Sequence, residues 1–418
     1  MGRIKGFSRK QLQILAFPKT DYDAIICDGS IRAGKTSVMS TGFVMWAMSN
    51  FNLQNFAICS RTVQTAIRNV IKPLLGMAYM KERYQLQFKR AESLLVVRKG
   101  EKENYFYIYG GKDESSYTLI QGITLAGVLL DEVALMPQSF VEQALARCSV
   151  DGSRFWFNCN PGAPMHWFNV EWIQQPEKHN VLHLHFTMDD NPSLSEKVRK
   201  RYESMYSGVF YQRYIKGLWV AAEGLIYDAF EEERHVLKQP VQTHGEYYVS
   251  CDYGTQNATV FLLWQQEKNS DRWVCLKEYY YSGRENMRQK TVGEYVDDMI
   301  AWLDGIWPNR VIVDPSASPL KVELQRRGYK TRDANNDVKD GIAAVSSMLK
   351  NDRIAFDASC KKTLEEFGAY MWDPKAADRG EDAPIKEHDH AMDAIRYFVK
   401  TQRIERPKKK YTSIYGMR

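Results

Sequence analysis

The chain has 418 residues, more than one hydrophobic core usually serves, so its length predicts two domains. Hydrophobic residues make up 44% and charged residues 26%, as in globular proteins, and no apolar run approaches the ~20 residues of a membrane-spanning helix. Seven cysteines without a CxxC pair exclude a disulfide framework and a zinc-finger pattern, and no signal-peptide core follows the N-terminus, so we expect a cytosolic protein. The net charge of +6 permits nucleic-acid binding without being diagnostic of it.

The first half of the chain alternates short apolar strands with helical segments. We predict strands at 24–27, 56–60, 127–130 and 154–158, and helices at 37–49 and 63–77. Strands separated by segments of helical length favour a mostly parallel sheet that is covered on both faces.

The second half begins with a different pattern. Three closely spaced strands at 247–252, 258–264 and 273–281 predict an antiparallel meander, and a helix at 286–302, a strand at 310–313 and further helices up to residue 401 complete an α/β unit. The segment 224–240 has an acidic run and no clear period, so we place the junction between two α/β domains there.

A glycine-rich loop follows the first strand and precedes the first long helix. It fits the pattern G-x-x-x-x-G-K-[ST], in which backbone N–H groups surround phosphates, the lysine contacts the β- and γ-phosphates, and the hydroxyl binds Mg²⁺. This context predicts an ATP site formed by Gly29, Ser30, Arg32, Ala33, Gly34, Lys35 and Thr36.

Two carboxylates end the apolar strand at 127–130. Ligands in open α/β sheets bind at the carboxyl ends of the strands, which is where Asp131 and Glu132 are predicted to lie. We predict that Asp131 holds the Mg²⁺ of Mg-ATP and that Glu132 orients or deprotonates the attacking water.

Two further residues could sense the γ-phosphate. Arg32 lies within the loop, where it either contacts the phosphate or simply faces solvent. Asn160 follows the strand at 154–158 and could report loss of the phosphate, although a plain Asn-Pro-Gly turn explains it nearly as well.

Carboxylates in the second half form a separate group. Asp252 and Asp314 each end a strand, and His390 and Asp393 lie one helical turn apart. Each has an ordinary explanation as a turn, strand-end or helix-end residue. Together Asp252, Asp314 and Asp393 could hold two Mg²⁺ or Mn²⁺ ions that cut a phosphodiester, with His390 beside them.

With both groups in view, the chain resembles the large terminase subunit of tailed bacteriophages over nearly its whole length. The last helix is the most specific match. The segments that carry the resemblance are 29–36, 128–132, 158–161 with His166 and Trp167, 190–194, 211–219, 222–227 and 389–397.

The resemblance implies a RecA-like P-loop ATPase domain at 1–225 with a lid at roughly 167–220, a linker at 226–240, an RNase H-like nuclease domain at 241–403 and a basic tail at 404–418. It implies ATP-driven translocation of double-stranded DNA into a procapsid and metal-dependent cutting of concatemeric DNA. The implied partners are the small terminase subunit, the portal protein and other copies of the chain in a ring on the portal. The implied location is the host cytoplasm and, transiently, the procapsid rather than the mature virion or a membrane.

Three residues are candidates only. Gln11, before the phosphate loop, could contact adenine, and Arg147 or Arg154 could act on the ATP of a neighbouring subunit. A helicase–nuclease is a second interpretation, but no set of helicase motifs accompanies the nucleotide site. A DNA-binding protein with degenerate sites is a third, and intact Lys35 and Glu132 argue against it.

Overall fold

The computed structural model describes residues 6–254, 257–402 and 404. Its chain divides into two compact units. The first contains the described residues up to Glu203 together with Val209–Ala222 and Lys375–Glu381; the second contains Ser204–Gly208, Glu223–Pro374 and the described residues from Asp382 onward. The predicted tail at 404–418 lies outside the described residues, apart from residue 404.

The first unit is built on an eight-stranded sheet in the order β3-β4-β5-β2-β6-β7-β1-β8. The five pairs from β5 to β8 are parallel, and β3, β4 and β5 pair antiparallel at one edge. The strands are β1 Ala24–Gly29, β2 Asn55–Ser60, β3 Gln85–Lys89, β4 Leu94–Lys99, β5 Lys102–Gly110, β6 Gly127–Asp131, β7 Arg154–Asn158 and β8 Val181–Phe186.

Helices cover both faces of this sheet, as predicted. Along β1, Ile25 packs in one apolar cluster with Phe43 and Trp46, whereas the next residue, Ile26, packs in the other with Phe140. Alternation along a strand directs side chains to opposite faces, so both faces carry a core. The helices in this part of the chain are α1 Arg9–Ala16, α2 Lys35–Asn50, α3 Val63–Ala66, α4 Lys72–Gly76, α5 Ala78–Arg83, α6 Gln138–Ala146, α7 Glu196–Met205 and α8 Gly208–Phe210, with π-helical turns at Ile67–Ile71, Asn169–Ile173 and Tyr211–Ile215.

The second unit contains a seven-stranded mixed sheet in the order β14-β13-β10-β11-β12-β15-β9. The predicted meander forms its antiparallel centre, and the flanking pairs are parallel. The strands are β9 Val236–Leu237, β10 Thr243–Asp252, β11 Ala258–Glu267, β12 Trp273–Ser282, β13 Arg310–Val313, β14 Thr331–Asp333 and β15 Ile354–Asp357.

Helices of the second unit include the long C-terminal helix that carries the predicted nuclease residues. Phe398 of that helix stacks on Trp264 of β11, with ring centroids 4.5 Å apart, which anchors the helix to the sheet. The helices are α9 Glu232–His235, α10 Val292–Leu303, α11 Ser318–Arg326, α12 Val338–Lys350, α13 Lys361–Ala369 and α15 His390–Gln402, whereas α14 Pro374–Asp378 belongs to the first unit except for its first residue.

One predicted helix begins later than expected. The helix predicted at 286–302 starts at Val292, because Thr291 and Glu294 form a capping box that fixes the first turn. Residues 286 and 287 belong to a turn and the chain from 288 to Thr291 is not helical, so the prediction was wrong over its first six residues. Within the described ranges, no helix combines the length and apolarity needed to cross a bilayer.

All seven cysteines are free thiols, and only Cys148 is more than slightly exposed. Burial raises the pKa of the Cys148 thiol to about 12 and raises those of Cys27, Cys59 and Cys159 further. A thiol with a raised pKa carries little of the nucleophilic thiolate at neutral pH, so these side chains act as apolar core residues.

Candidate active sites

The phosphate loop lies between β1 and α2, as the sequence predicts. Gly34 has a φ of +82°, a conformation that glycine adopts without strain, and Lys35 begins the helix directly after it. The loop thus sits at the N-terminus of α2, where backbone N–H groups and the helix dipole favour bound phosphate. Ser30 and Ala33 are buried within the loop.

Lys35 is held in place by three oxygen atoms. Its Nζ donates to the carbonyl oxygens of Gly29 (2.9 Å) and Ser30 (2.7 Å) and to Asn160 Oδ1 (3.1 Å). Burial lowers the pKa of this ammonium group, and the negative charge of Asp131 opposes that effect. Asn160 therefore contacts the lysine of the phosphate loop directly, and its role in sensing the γ-phosphate stays a prediction.

Asp131 and Thr36 meet at the end of β6. Thr36 Oγ1 donates to Asp131 Oδ1 at 3.0 Å, while Asp131 Oδ2 is buried and has no hydrogen-bond partner in the described part of the chain. Burial raises the pKa of Asp131, and the hydrogen bonds from Asn158 and Thr36 partly offset the increase. A buried carboxylate oxygen without a partner beside a threonine hydroxyl fits a Mg²⁺ ion and its water ligands.

Asn158, which the sequence analysis did not select, organises the two carboxylate residues. Its Nδ2 donates to Asp131 Oδ1 at 2.8 Å, and its Oδ1 accepts from the backbone N–H of Glu132 at 3.2 Å. Glu132 has a φ of +60°, a left-handed conformation uncommon outside glycine, and the hydrogen bond from its own N–H supports it. The sequence signal that could have identified Asn158 is that it is a polar residue directly after the apolar run of β7, the strand next to β6.

We expect Asn158→Ala to lower the ATP turnover rate by about 10–100-fold, because Glu132 loses the contact that fixes its backbone. The buried oxygen of Asp131 also loses a donor, which should lower the free energy of unfolding by about 1–3 kcal/mol. Steady-state ATPase assays and thermal melts measure the two effects. An unchanged turnover rate would contradict the positioning role of Asn158.

Two other residues predicted at the nucleotide site are Arg32, within the phosphate loop, and Gln11, which packs against it. The Arg32 guanidinium lies 5.1 Å from the ring centre of Tyr202. The backbone carbonyl oxygen of Arg32 accepts a hydrogen bond from Asn191 Nδ2. Gln11 is buried, its Oε1 accepts from the N–H of Ser8, and its amide packs against Gly34. Their roles in γ-phosphate sensing and adenine contact stay predictions.

The two arginines proposed to act on the ATP of a neighbouring subunit lie near the N-terminal ends of β6 and β7, whereas the phosphate site lies at the carboxyl ends of the strands. Arg154 begins β7 and donates to the carbonyl oxygens of Phe17 (2.8 Å) and Thr20 (2.7 Å). The backbone carbonyl oxygen of Arg147 accepts a hydrogen bond from the N–H of Leu125, which lies just before β6. Both remain candidates, with Arg154 already engaged in its own unit.

Asp28, which directly precedes the phosphate loop, was also missed. It is 1% exposed; its Oδ1 accepts from His183 Nε2 (2.8 Å) and His185 Nδ1 (3.1 Å), and its Oδ2 accepts from Trp219 Nε1 (2.9 Å). Burial alone would raise the pKa of Asp28, but the hydrogen bonds from the two histidines hold it well below its usual range. This carboxylate ties β1 to β8, which lies inside the range predicted for the lid.

We expect Asp28→Asn to lower the free energy of unfolding at pH 7 by about 2–4 kcal/mol, because an amide group cannot accept from all three donors. Folding lowers the pKa of Asp28, so the stabilisation is present above the unfolded-state pKa of about 3.9 and is lost as the pH falls below it. The difference in Tm between wild type and variant should therefore shrink below about pH 4. A difference independent of pH would contradict this account.

The predicted nuclease residues lie at one end of the second sheet. Cys251 of β10 pairs with Val313 of β13, so Asp252 and Asp314, which directly follow them in sequence, lie at the carboxyl ends of neighbouring parallel strands. His390 Nδ1 is 2.9 Å from Asp252 Oδ2, which brings the first turn of α15 to the same place. Burial raises the pKa of the Tyr397 hydroxyl, one turn after Asp393, and the negative charges of Asp252, Asp393 and Asp314 add to the increase.

The folded protein shifts the pKa values of two of these nuclease residues, Asp252 and His390. Burial raises the pKa of Asp252 to about 6, the hydrogen bond from His390 opposes the increase, and the negative charge of Asp393 adds to it. Burial alone would lower the pKa of His390, but the hydrogen bond with Asp252 raises it. Accumulated negative charge of this kind is what a divalent cation relieves.

Each remaining carboxylate already has a partner within the chain. Asp393 pairs with the buried Arg396, and Asp314 Oδ1 accepts from both the N–H and the hydroxyl of Ser316. Among the residues that the structure describes, no three acidic, histidine or cysteine side chains lie close enough to form a ready-made metal site. The donor chemistry fits Mg²⁺ or Mn²⁺, although a bound ion requires these carboxylates to turn from their present partners.

Glu366 of α13 supports the nuclease helix and was not foreseen. Its Oε2 accepts from the N–H groups of Ala391 (2.7 Å) and Met392 (3.3 Å), and its Oε1 accepts from the Tyr280 hydroxyl (2.9 Å). Burial raises the pKa of this carboxyl to about 7. Glu366 thus satisfies the N-terminus of α15 from a distant part of the chain.

Comparisons with known proteins cover both units. A family model described as terminase large subunit, T4likevirus-type, N-terminal matches residues 26–234, and one described as terminase RNaseH-like domain matches residues 258–401. A solved large terminase from a thermophilic bacteriophage is 52% identical, with a TM-score of 0.90 over 95% of this chain and 99% of that chain. Structures of the same phage enzyme in complex with ADP and with ATP-γ-S are each 51% identical over 94% of this chain and 99% of theirs, with TM-scores of 0.88 and 0.87. No curated protein sequence matched the chain.

Proposed function

This chain belongs to the family of terminase large subunits, with an N-terminal ATPase domain and a C-terminal RNase H-like domain, and from that premise we propose a two-part activity. The ATPase domain moves double-stranded viral DNA into a procapsid. The RNase H-like domain cuts concatemeric DNA, with a divalent metal ion, at the start and end of packaging.

The observation that carries this proposal is the similarity to the large terminase of the thermophilic phage, which extends over nearly the full length of both chains. Both domains are therefore matched in one continuous chain. The relative's complexes with ADP and ATP-γ-S support nucleotide binding by the ATPase domain here.

In the ATPase reaction, Lys35 exchanges its contacts with Gly29, Ser30 and Asn160 for the β- and γ-phosphates of ATP. The Thr36 hydroxyl and Asp131 would hold Mg²⁺, which neutralises charge that develops on the phosphates. Glu132 orients the attacking water and accepts its proton. When the γ-phosphate leaves, Lys35 returns to the side-chain amide oxygen of Asn160. Asn160 can thereby report the loss of the phosphate.

In the nuclease reaction, Asp252, Asp314 and Asp393 would hold Mg²⁺ or Mn²⁺, which activates a water molecule and stabilises the leaving oxygen of the phosphodiester. His390 keeps Asp252 in position through its Nδ1 and can exchange a proton at its other ring nitrogen. Asp393 would have to leave its pair with Arg396 in order to hold the metal ion.

We propose the small terminase subunit and the portal protein as partners, and a ring of copies on the portal as the active assembly. The site of action is then the host cytoplasm and the surface of the procapsid.

A defined packaging assay tests the function. Purified full-length chain, ATP, Mg²⁺, double-stranded DNA and portal-bearing procapsids should yield DNA protected from added nuclease, whereas omission of ATP should yield none. Separately, Mn²⁺ with plasmid DNA should give cutting. Folded protein that hydrolyses ATP but neither protects nor cuts DNA would overturn the proposal.

A further inference from the structure

A cavity adjoins the nuclease residues in the second unit. It has a volume of about 260 Å³ and is lined by Tyr280 and Ser282 of β12, by Arg284, and by residues that lead into α15, including His390. Because His390 Nδ1 contacts Asp252, the cavity opens directly beside the carboxylates proposed to cut DNA.

The size and charge of the cavity limit the kinds of ligand that it can bind. The cavity is slightly smaller than the ~300–1,000 Å³ of typical small-molecule pockets. It therefore has room for only one unit of a larger, polymeric ligand. The charges of Arg284 and Lys386 in its lining are balanced by Glu285 and Glu387, so the lining carries no net charge with the histidines neutral. A groove for duplex backbone would carry an excess of positive charge, whereas a site for a nucleoside does not need one.

Hydrogen bonds fix the side chains of Tyr280 and His390, which line two sides of the cavity. The Tyr280 hydroxyl donates to buried Glu366 at 2.9 Å, and Glu366 in turn accepts from the N-terminus of α15. On the other side, His390 is fixed by Asp252. An aromatic side chain held in this way can stack on a base or sugar without a large loss of side-chain freedom.

We propose that this cavity binds one unpaired nucleotide of the DNA strand next to the bond that is cut. Tyr280 packs against the base or sugar, Asn257 and Ser282 offer polar contacts, and Arg284 binds the adjoining phosphate. The nucleotide leaves the duplex stack to enter, so sites that open easily are cut faster. This inference rests on the proposed nuclease function and assigns its local substrate preference.

The test uses short duplexes that contain 2-aminopurine, whose fluorescence rises when the base leaves the stack. Full-length protein with Ca²⁺ in place of Mn²⁺ should raise this fluorescence. With Mn²⁺, it should cut a duplex with a central mismatch about 10-fold faster than a matched duplex. Tyr280→Ala should lose both effects, whereas Tyr280→Phe, which keeps the ring, should retain them.

Tyr281→Ala is the matched control, since neighbouring residues on a strand face opposite sides of the sheet and the Tyr281 hydroxyl bonds to the Arg288 carbonyl instead. It should behave as wild type. If Tyr280→Ala fails to fold, exposed Arg284→Ala provides the second test: the slope of log affinity against log salt should fall by about 1, as expected for one lost phosphate contact.

Equal cutting of matched and mismatched duplexes by wild type, or no rise in fluorescence, would overturn the proposed subsite while leaving the nuclease function intact. Absence of any Mn²⁺-dependent cutting by folded, ATP-hydrolysing wild type would instead contradict the nuclease function itself. Retention of both effects by Tyr280→Ala would exclude Tyr280 as the stacking residue.

Discussion

Glu132→Ala should lower the rate of ATP hydrolysis by about 10²–10⁴-fold, the contribution typical of a positioned general base. Glu132 directly follows β6 beside Asp131, and its backbone is fixed by Asn158. Removal of its carboxylate leaves Lys35, Thr36 and Asp131 in place, so nucleotide binding should survive. We expect kcat to fall steeply while the affinity for ATP changes by less than about threefold.

Glu132→Gln is the companion variant because it keeps the length of the side chain and removes only its basicity. DNA packaging should fail in both variants, and Mn²⁺-dependent cutting of plasmid DNA should continue at close to the wild-type rate. If the glutamine variant hydrolysed ATP normally, the attacking water would need a different base.

Asp252→Asn should reduce DNA cutting by about 10³-fold or more while ATP hydrolysis continues, because a neutral amide holds a divalent cation far less well than a carboxylate. The substitution should cost little stability. Burial raises the pKa of Asp252 to about 6, so the folded protein already disfavours charge at this position. Plasmid nicking with Mn²⁺ and ATP turnover on the same preparation measure the two activities.

Asp393→Asn makes an instructive comparison. It should also abolish cutting, but it leaves buried Arg396 without its carboxylate partner and so should lower the free energy of unfolding by about 3–5 kcal/mol. Full cutting activity in folded Asp252→Asn would remove Asp252 from the proposed metal site.

The strands that carry the sites were predictable because each contains a short apolar run that a polar residue ends or directly follows. β1, β6, β7 and β13 are of this kind; Asp131 is the last residue of β6, and Asp314 directly follows β13. Parallel pairing then places their carboxyl ends together, which is why both candidate sites could be located without coordinates.

The edge strands gave weaker patterns. None of the residues of β3 is fully buried, and β8 interrupts its apolar residues with His183 and His185. Neither stands out as a buried strand, and only pairing with a neighbour reveals it. β3 and the extension of the sheet by β8 were therefore missed. β4 and β5 were missed as well, although the buried apolar run of β4 and the alternating burial of β5 are typical of strands.

The supporting residues were missed for a related reason. Asp28 and Asn158 each lie within or at the end of an apolar run, and Glu366 lies in an amphipathic helix, so local sequence offers no reason to single them out. Their partners are 25–191 residues away along the chain. Such long-range hydrogen bonds depend on the folded arrangement, which periodicity and motif spacing do not encode.

The mostly buried thiols give this enzyme a practical advantage for spectroscopy. Maleimide reagents need access to a thiol, and six of the seven native cysteines are buried, with Cys148 partly so. A single cysteine introduced at an exposed position of each unit, such as Lys102 or Arg326, could therefore be coupled to a fluorophore against the native background. Energy transfer between the two dyes would then follow the distance between the units through each round of ATP hydrolysis.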